Sequence, residues 1–493
     1  MKKLYLSEQV KEYEKKFFAA GNSDKELMLS AAKIVTNYIS KNYKNKKVIC
    51  ICGPGNNGGD GYYVGLNLYK KGFSVKIIDA LEKKSKSPLC KEAFDAAVRK
   101  NLIHSHSTLN NFDDDILVID AIFGTSYKSP LDKKIIELIK KINLYKSIVS
   151  IDLPSGINPD TGVASDHFVK ANVNICFIGR KLGMALNEGK ISAEINYFHK
   201  LGLEMEEEVK QAANHYSFSD IENLITTRSA NCHKGDFGNI LVLGGDKNFG
   251  GASIMAAETA LKSGSGLVSL LTQPIHIDAA LIRNPEIMTI GLDKPCGFES
   301  MLNDKDVFVC GPGLSSSDWS EKIIKTLIDY IKNNECFALL DAGALRYIAK
   351  KNINFKSFTS SIVLTPHPGE AADLLGISSV QVQSDRIKAA KDLVTKYNAT
   401  IVLKGAGTII ANNETICICR DGGPELASGG TGDILAGLIG SLMAQGLSAY
   451  NACLLGVAVH GRAGNEFLKL CGVNGLAATE LIPLIRDILN KKK

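Results

Sequence analysis

The stretch Val48-Ile49-Cys50-Ile51-Cys52-Gly53-Pro54-Gly55-Asn56-Asn57-Gly58-Gly59-Asp60-Gly61 decides the fold of the first half of the chain. An apolar run of strand length ends in glycines, and a helix is expected from near Tyr62. The same kind of run recurs at residues 75–78, 116–119, 148–151 and 173–178, with helix-compatible stretches such as 27–39 and 131–142 around them. Short, continuously apolar runs split by helices indicate a parallel sheet covered on both faces. The expected fold is α/β, a Rossmann-like doubly wound sheet forming an N-terminal domain over residues 1–212.

From about Glu206 to His233 the pattern lapses into polar residues, read as a linker. A second α/β series follows, with strands at 240–243, 267–271, 307–309, 337–340, 362–364 and 401–403. Helices are expected at 252–262, 320–332 and 384–397. This makes a C-terminal α/β domain over residues 213–493. Residues 434–459 carry no charge and are long enough to cross a bilayer. Gly446 and a helix-capping Ser448 divide them, so two packed core helices are expected and no membrane contact.

The 493 residues are 45% hydrophobic and 22% charged, which excludes a disordered chain and a disulfide scaffold. A formal charge of +6 is slight at this length and gives no case for nucleic acid. The basic stretches 44–47 and 491–493 read as solvated linker and tail. Twelve cysteines occur without a CxxC pair; Cys50/Cys52 and Cys417/Cys419 sit in apolar runs and read as small buried hydrophobes. The N-terminal residues lack the apolar core of a signal peptide, so a reducing cytoplasm is expected. The expected partners are small-molecule substrates and further copies of the chain in a homo-oligomer.

Gly53, Gly55 and Gly58 satisfy GxGxxG between strand and helix, and Asp79 ends the next strand at the place of the ribose-binding acid. The residues between the glycines oppose a dehydrogenase. Asp60 puts a carboxylate near the helix start, where it would repel phosphate unless a cation intervened. Asn56 and Asn57 add amide oxygens suited to a hard cation or a hydroxylated ligand. Two more strands end in carboxylates, at Asp120 before Ala121-Ile122-Phe123-Gly124-Thr125 and at Asp152 before Leu153-Pro154-Ser155-Gly156. Carboxyl ends of parallel strands line the binding crevice, so Asp120, Asp152 and the 56–60 loop should converge. A lone strand-end aspartate is often a helix cap; three convergent polar motifs point to a site.

In the second half, Ala427-Ser428-Gly429-Gly430-Thr431-Gly432-Asp433 runs into an apolar helix. Glycines at a helix N-terminus free backbone N–H groups for an anion. Asp433 then lies in the first turn, placed to accept a hydroxyl proton as general base. Lys404-Gly405-Ala406-Gly407-Thr408 forms a basic turn after a strand, suited to nucleotide phosphates, although no P-loop pattern is present. His367 lies between Pro366 and Pro368, held off the helix path, and Gly311-Pro312-Gly313 ends another strand. Asp341 reads as a helix cap.

The loop 53–61 with Asp120 and Asp152-Leu153-Pro154-Ser155-Gly156 resembles the NAD(P)H-hydrate epimerase domain family over about residues 1–210. The resemblance implies contacts to a hydrated nicotinamide nucleotide from Asn56, Asn57, Gly58, Gly59 and Asp60. It implies further contacts from Gly124, Thr125, Ser126, Tyr127, Lys128, Ser129 and Pro130. Asp152 would lie at the reacting carbon, and a potassium ion would be held by Asn57, Asp120 and the Ser155 region. Ser126 stands where the family commonly has glycine, and Ala31-Ala32 where it has Ala-Gly.

Lys-Gly-x-Gly-Thr, His-Pro-Gly-Glu and Gly-Gly-Thr-Gly-Asp together resemble the ribokinase-like superfamily, and within it the ADP- or ATP-dependent NAD(P)H-hydrate dehydratases, over about residues 220–490. This implies nucleotide contacts at Lys404, Gly405, Ala406, Gly407, Thr408 and Gly432. Hydrate contacts would come from Ala252, Gly313, His367 and Asp433, with magnesium assisting. Ser265 replaces a usual alanine. Both halves then resemble the bifunctional enzymes that epimerise NAD(P)H hydrates and dehydrate the S form. A small-molecule kinase of a vitamin precursor, fused to a nucleotide-binding module, is the competing expectation.

Overall fold

A computed structural model describes the chain from Met1 to Lys491 except Glu82, Lys83, Asn111, Lys128 and Ser129; Lys492 and Lys493 are likewise not described. The chain divides into two compact units, Lys2–Ala213 and Asn214–Lys493 with Met1. The stretch read as linker is structured: it holds the helix Met205–Glu208, the strand Ala213–Tyr216 and short 3-10 turns. Its buried Tyr216 hydroxyl donates to the Leu454 carbonyl at 3.0 Å.

In the first unit the strands run in the order Ile103–His104, Val75–Asp79, Lys47–Cys52, Ile116–Ala121, Ser147–Ile151, Ala171–Phe177, Ala193–His199. Every neighbouring pair is parallel. The strand order reverses between Lys47–Cys52 and Ile116–Ala121, and a doubly wound sheet opens its binding crevice at the carboxyl edge of such a switch point. The central strand Lys47–Cys52 is buried from its second residue on. Cys50 and Cys52 are buried free thiols, as are Cys417 and Cys419 in the other unit, in keeping with their reading as small hydrophobes.

The helix after the first glycines begins at Asn56, not near Tyr62, and runs to Lys70 with Gly55 as N-cap. Gly58, Gly59 and Gly61 are therefore helical, and their glycine character serves close packing rather than loop conformation. A Cβ on Gly58 would lie 1.8 Å from the Gly53 carbonyl oxygen, one on Gly59 2.7 Å from the Met28 methyl, and one on Gly61 2.5 Å from the Ala121 Cβ.

In the second unit the parallel series Thr400–Leu403, Ser361–Leu364, Phe337–Leu340, Val307–Cys310, Asn239–Leu243, Leu267–Thr272, Met288–Gly291 is extended by an antiparallel edge. Its strands Ile409–Ala411 and Ile416–Cys419 follow Thr400–Leu403 directly, and Ala213–Tyr216 pairs parallel with Ile416–Cys419 beyond them. Thr431–Ala444 and Ala449–Cys471 are two helices, and the Ser448 hydroxyl caps the second by accepting from Asn451 N–H. Both bury most of their residues in the core of this unit. Among the described residues no helix is long and apolar enough to cross a membrane.

Candidate active sites

In the first unit a cavity of about 610 Å³ opens at the carboxyl edge of the sheet, at the switch point. Asn56, Asn57, Asp60, Gly124, Thr125, Ser126 and Asp152 all line it. Gly58 and Gly59 instead pack inward, against Gly53 and Met28. Tyr127 is buried with its ring against Phe123 and lies outside the lining, as does the exposed Pro130. Lys128 and Ser129 lie outside the described residues.

Asp120 is fully buried and saturated with donors. Its Oδ2 accepts from Ser150 Oγ and Ser155 N–H, each at 2.9 Å, and its Oδ1 from Ser155 Oγ at 2.6 Å. Burial still leaves its carboxyl above the usual range. Ser155 Oγ accepts from Phe123 N–H at 3.1 Å, and Asn57 Nδ2 donates to the Phe123 carbonyl at 2.8 Å. Phe123 thus links the residues expected to hold a cation. The Asn57 Oδ1 is buried with no hydrogen-bond partner among the described residues, an acceptor that fits an oxygen-ligated cation.

Asp152 sits just past a strand at φ 66°, a left-handed conformation that costs a non-glycine residue about 1–3 kcal/mol and concentrates at functional sites. Gly124 faces it: a Cβ there would lie 3.3 Å from Asp152 Oδ2 and 3.3 Å from the Asn57 Cβ. The partner of Asp152 is Lys181, a buried lysine that no sequence motif flagged. Its Nζ forms an ion pair with Asp152 Oδ1 and donates to the Phe177 carbonyl at 2.9 Å. Glu14 and Lys11, also unflagged, reach the cavity from the helix Ser7–Ala19.

Burial, then Asp152 and Glu14, push the Asp60 carboxyl well above the usual range, toward the neutral form, which lessens its repulsion of a phosphate. Asp79, at the place of a dinucleotide fold's ribose-binding acid, has its Oδ2 taken by Lys86 Nζ at 2.6 Å in a pair whose side chains are both 6% exposed, in keeping with the reading against a dehydrogenase.

In the second unit the strands ending at Leu243, Cys310, Leu340, Leu364 and Leu403 are parallel neighbours, so the turns after them share one edge of the sheet. Lys404 is the centre of that edge. Its Nζ lies 2.9 Å from Asp341 Oδ1 and 3.9 Å from Glu370 Oε2. A Cβ on Gly432 would lie 3.5 Å from the same Nζ. Burial lowers the Lys404 pKa, but Asp341, Glu370 and Asp433 outweigh it and hold the pKa above its ordinary value. Asp433, in the first turn of Thr431–Ala444, is pushed up to about 7 by burial and Asp341, with Lys404 opposing and Glu370 adding. A carboxylate titrating near neutrality is matched to general base work. Asp341 is therefore more than a helix cap.

The glycine turn before Asp433 is held from several sides. Gly430, the N-cap, sits at φ 92°, where a Cβ would meet the Met255 methyl at 2.8 Å. Thr431 Oγ1 donates to the Leu426 and Ser428 carbonyls at 3.1 and 3.0 Å. The buried His460 lies beside the Thr431 backbone; burial pushes its pKa down to about 4, so the ring is neutral. The turn at residues 404–406 is gripped by Arg386, which is 1% exposed and bonds the Leu403, Lys404 and Ala406 carbonyls. Neither Arg386 nor His460 carries a sequence signal beyond lying in a helix.

Gly405 and Gly407 take φ 140° and 73°, and Thr408 Oγ1 closes the turn on the Gly405 carbonyl at 3.2 Å. His367 proves to be the N-cap of Pro368–Leu375: its Nδ1 accepts from Gly369 and Glu370 N–H at 3.0 and 3.2 Å, leaving the ring 56% exposed. Gly313, at φ 70°, accepts through its carbonyl from Asp246 N–H at 2.9 Å, and a Cβ on it would lie 2.2 Å from the carbonyl oxygen of Phe249, the N-cap of Gly250–Lys262, whose first turn holds Ala252. Among the described residues no group of three or more His, Cys, Asp or Glu side chains is arranged to hold a metal ion.

Comparison with known proteins agrees with both halves. Residues 240–487 match the family described as NAD(P)H-hydrate dehydratase, and residues 24–183 that described as YjeF-related protein N-terminus. The chain is 33% identical to the bifunctional NAD(P)H-hydrate repair enzyme of Coxiella burnetii, over 99% of each chain. It is 34% identical to that of Escherichia coli, over 94% of this chain and 89% of the other. Among solved structures, the ADP/ATP-dependent NAD(P)H-hydrate dehydratase from Bacillus subtilis, co-crystallised with ATP and Mg2+, matches at TM-score 0.52 and 25% identity, covering 57% of this chain and 99% of that one. A ribokinase-like superfamily protein from Enterococcus faecalis matches at TM-score 0.53 and 26% identity, covering 57% and 97%. The chain belongs to the family of bifunctional NAD(P)H-hydrate repair enzymes.

Proposed function

We propose that the two sites repair reduced nicotinamide nucleotides that have taken up water across a ring double bond. The first exchanges the R and S hydrates, an isomerase reaction. The second removes water from the S form at the expense of a phosphoryl group from ADP or ATP, a lyase reaction. The observation that carries the reading is Asp433, a half-buried carboxyl with its pKa pushed up to about 7, next to the Gly429–Gly432 turn and Lys404.

Hydroxide is a poor leaving group at neutral pH, and phosphate is a better one. Asp433 takes the proton of the ring hydroxyl, whose oxygen attacks the terminal phosphoryl of the nucleotide. The backbone N–H groups of the glycine turn and Lys404 offset the charge on the phosphoryl oxygens in transfer. The ring nitrogen lone pair then expels phosphate, and loss of the neighbouring proton restores the dihydropyridine. Lys404, Gly405, Ala406, Gly407, Thr408 and Gly432 bind the nucleotide; Ala252, Gly313 and His367 bind the hydrate. Magnesium, bound with the nucleotide, would neutralise its phosphates.

In the first site, Asp152 lies at the reacting carbon and the lining residues Asn56, Asn57, Asp60, Gly124, Thr125 and Ser126 hold the nucleotide. Asn57, Asp120 and Ser155 would hold potassium, which would fix the turn after Asp120 and add positive charge there. The orphaned Asn57 Oδ1 supports this.

The test is a repair assay on an R/S mixture of NADH hydrate with ADP or ATP, magnesium and potassium. Recovery of reduced-nicotinamide absorbance from both epimers is expected. Conversion that stops at the S fraction would remove the epimerase reading. A stable phosphorylated product on another alcohol would move the second site to a kinase.

A further inference from the structure

The helix Ser7–Ala19 supplies a wall of the first cavity that the glycine and aspartate motifs do not account for. Val10, Lys11, Glu14 and Phe18 recur at three- and four-residue spacing, share one helix face and all line the cavity. Lys11 Nζ donates to the Thr125 carbonyl at 3.1 Å, tying this helix to the turn after Asp120. One turn further on, Glu14 has no hydrogen-bond partner among the described residues. Its charged neighbours are Lys181, Asp152 and Lys11, and it acts in turn on Asp60.

We propose that Glu14 is the proton donor of the first site, giving its proton to the departing hydroxyl while Asp152, held by Lys181, accepts a proton from the incoming water. The proposal deepens the epimerase reading and rests on it. The ring nitrogen lone pair forms a C=N bond to the hydroxylated carbon as its C–O bond breaks. Glu14 protonates the departing oxygen, and water leaves. A water then adds to the other face of that carbon, the C=N electrons return to nitrogen, and Asp152 takes the surplus proton. Water in the cavity carries that proton back to Glu14, so nothing is consumed.

Asp60 lines the same cavity and is the other possible donor. Its electrostatic neighbours are carboxyls alone, Asp152 and Glu14, which hold its proton tightly. Glu14 is raised by burial too, but unlike Asp60 it faces two lysines, Lys181 and Lys11, which favour the charged form that a donor must pass through.

The experiment uses the full chain and NADH hydrate without nucleotide, following R/S exchange by chromatography across neutral pH. Glu14→Gln is expected to lower kcat for exchange about 100-fold, leave KM within about threefold, and abolish the fall in rate as pH rises through the donor's pKa. Glu14→Asp keeps a carboxyl and is expected to retain that fall at an intermediate rate, and Asp60→Asn to keep it as well. Dehydration of the S hydrate with ADP or ATP, a reaction of the second unit, is unchanged in all three, and the exchange retained by Glu14→Asp reports on folding of the first unit. Exchange by Glu14→Gln within about threefold of wild type, or equal losses in Glu14→Gln and Glu14→Asp, would overturn the proposal. A wild-type chain that exchanges no epimers would overturn the epimerase reading, and the proposal with it.

Discussion

Both sites pair one lysine with one aspartate at the carboxyl end of a parallel strand: the buried Lys181 with Asp152, and the part-buried Lys404 with Asp341. Both keep a non-glycine residue in the left-handed region there, Asp152 at φ 66° and Ala342, next to Asp341, at φ 44°. Both push neighbouring carboxyls upward, Asp60 and Glu14 in one, Asp433 and Glu370 in the other. The glycines differ. In the first unit Gly58, Gly59 and Gly61 lie inside the helix and are filled by packing. In the second, Gly429 and Gly430 precede the helix, and a Cβ on Gly429 would meet nothing within 4 Å. One arrangement leaves a lined cavity for moving protons. The other leaves open backbone N–H groups for a phosphoryl group.

The sharpest way to break this comparison is to remove each aspartate in turn. Asp433→Asn is expected to reduce dehydration by about 10²- to 10⁴-fold while R/S exchange persists. Full retention of dehydration would remove Asp433 from the mechanism. Asp152→Asn should reduce exchange by about 100-fold or more and leave dehydration of the S hydrate intact, as read by the epimer ratio over time. Unchanged exchange would sink its role.

A smaller effect probes the support behind Lys404. Arg386→Met strips the donors from the Leu403, Lys404 and Ala406 carbonyls. Each buried group left unpaired costs about 1–3 kcal/mol, so calorimetry should find a lower melting transition for the second unit. KM for the nucleotide should rise while exchange stays put. An unchanged nucleotide KM would detach Arg386 from the site.

The smallest effect is on stability. The fold raises Asp433 from 3.8 to about 7 and so favours its protonated form. That favourable contribution is present below the ordinary carboxylate pKa and is lost as pH rises through about 7. Above it the wild type carries a half-buried charge that Asp433→Asn lacks. The variant should therefore melt higher than wild type in alkaline buffer, the gap closing toward about pH 4. A variant that melts lower at every pH would contradict the strained-base reading. The same titration gives the wild-type dehydratase an acidic limb, activity falling as pH drops below about 7.

Much of this was legible in the chain itself. Continuously apolar runs of strand length gave the central parallel strands of both sheets, because a strand buried on both faces has no polar alternation to hide it. The outer strands Ile103–His104, Ala193–His199 and Met288–Gly291, largely unburied, escaped. Ser448 divided the uncharged 434–459 stretch where the two helices in fact part. The helix start at Asn56 was missed because glycines read as loop, whereas here they are the thin side of a packed helix. Ile409–Ala411 was missed because three residues carry no periodicity. Glu14, Lys181 and Arg386 could not stand out, since a charged residue within an amphipathic or mixed stretch looks solvated until the fold buries it. Their roles follow from what the tertiary structure brings to them.

The central claim is that one chain holds two independent sites acting in sequence. Its most direct test mixes full-length Asp433→Asn with full-length Asp152→Asn on an R/S mixture of NADH hydrate with ADP or ATP. Alone, the first should restore no absorbance and the second should stop at the S fraction. Together they are predicted to convert both epimers completely. A mixture that halts at the S fraction, like Asp152→Asn alone, would contradict the account.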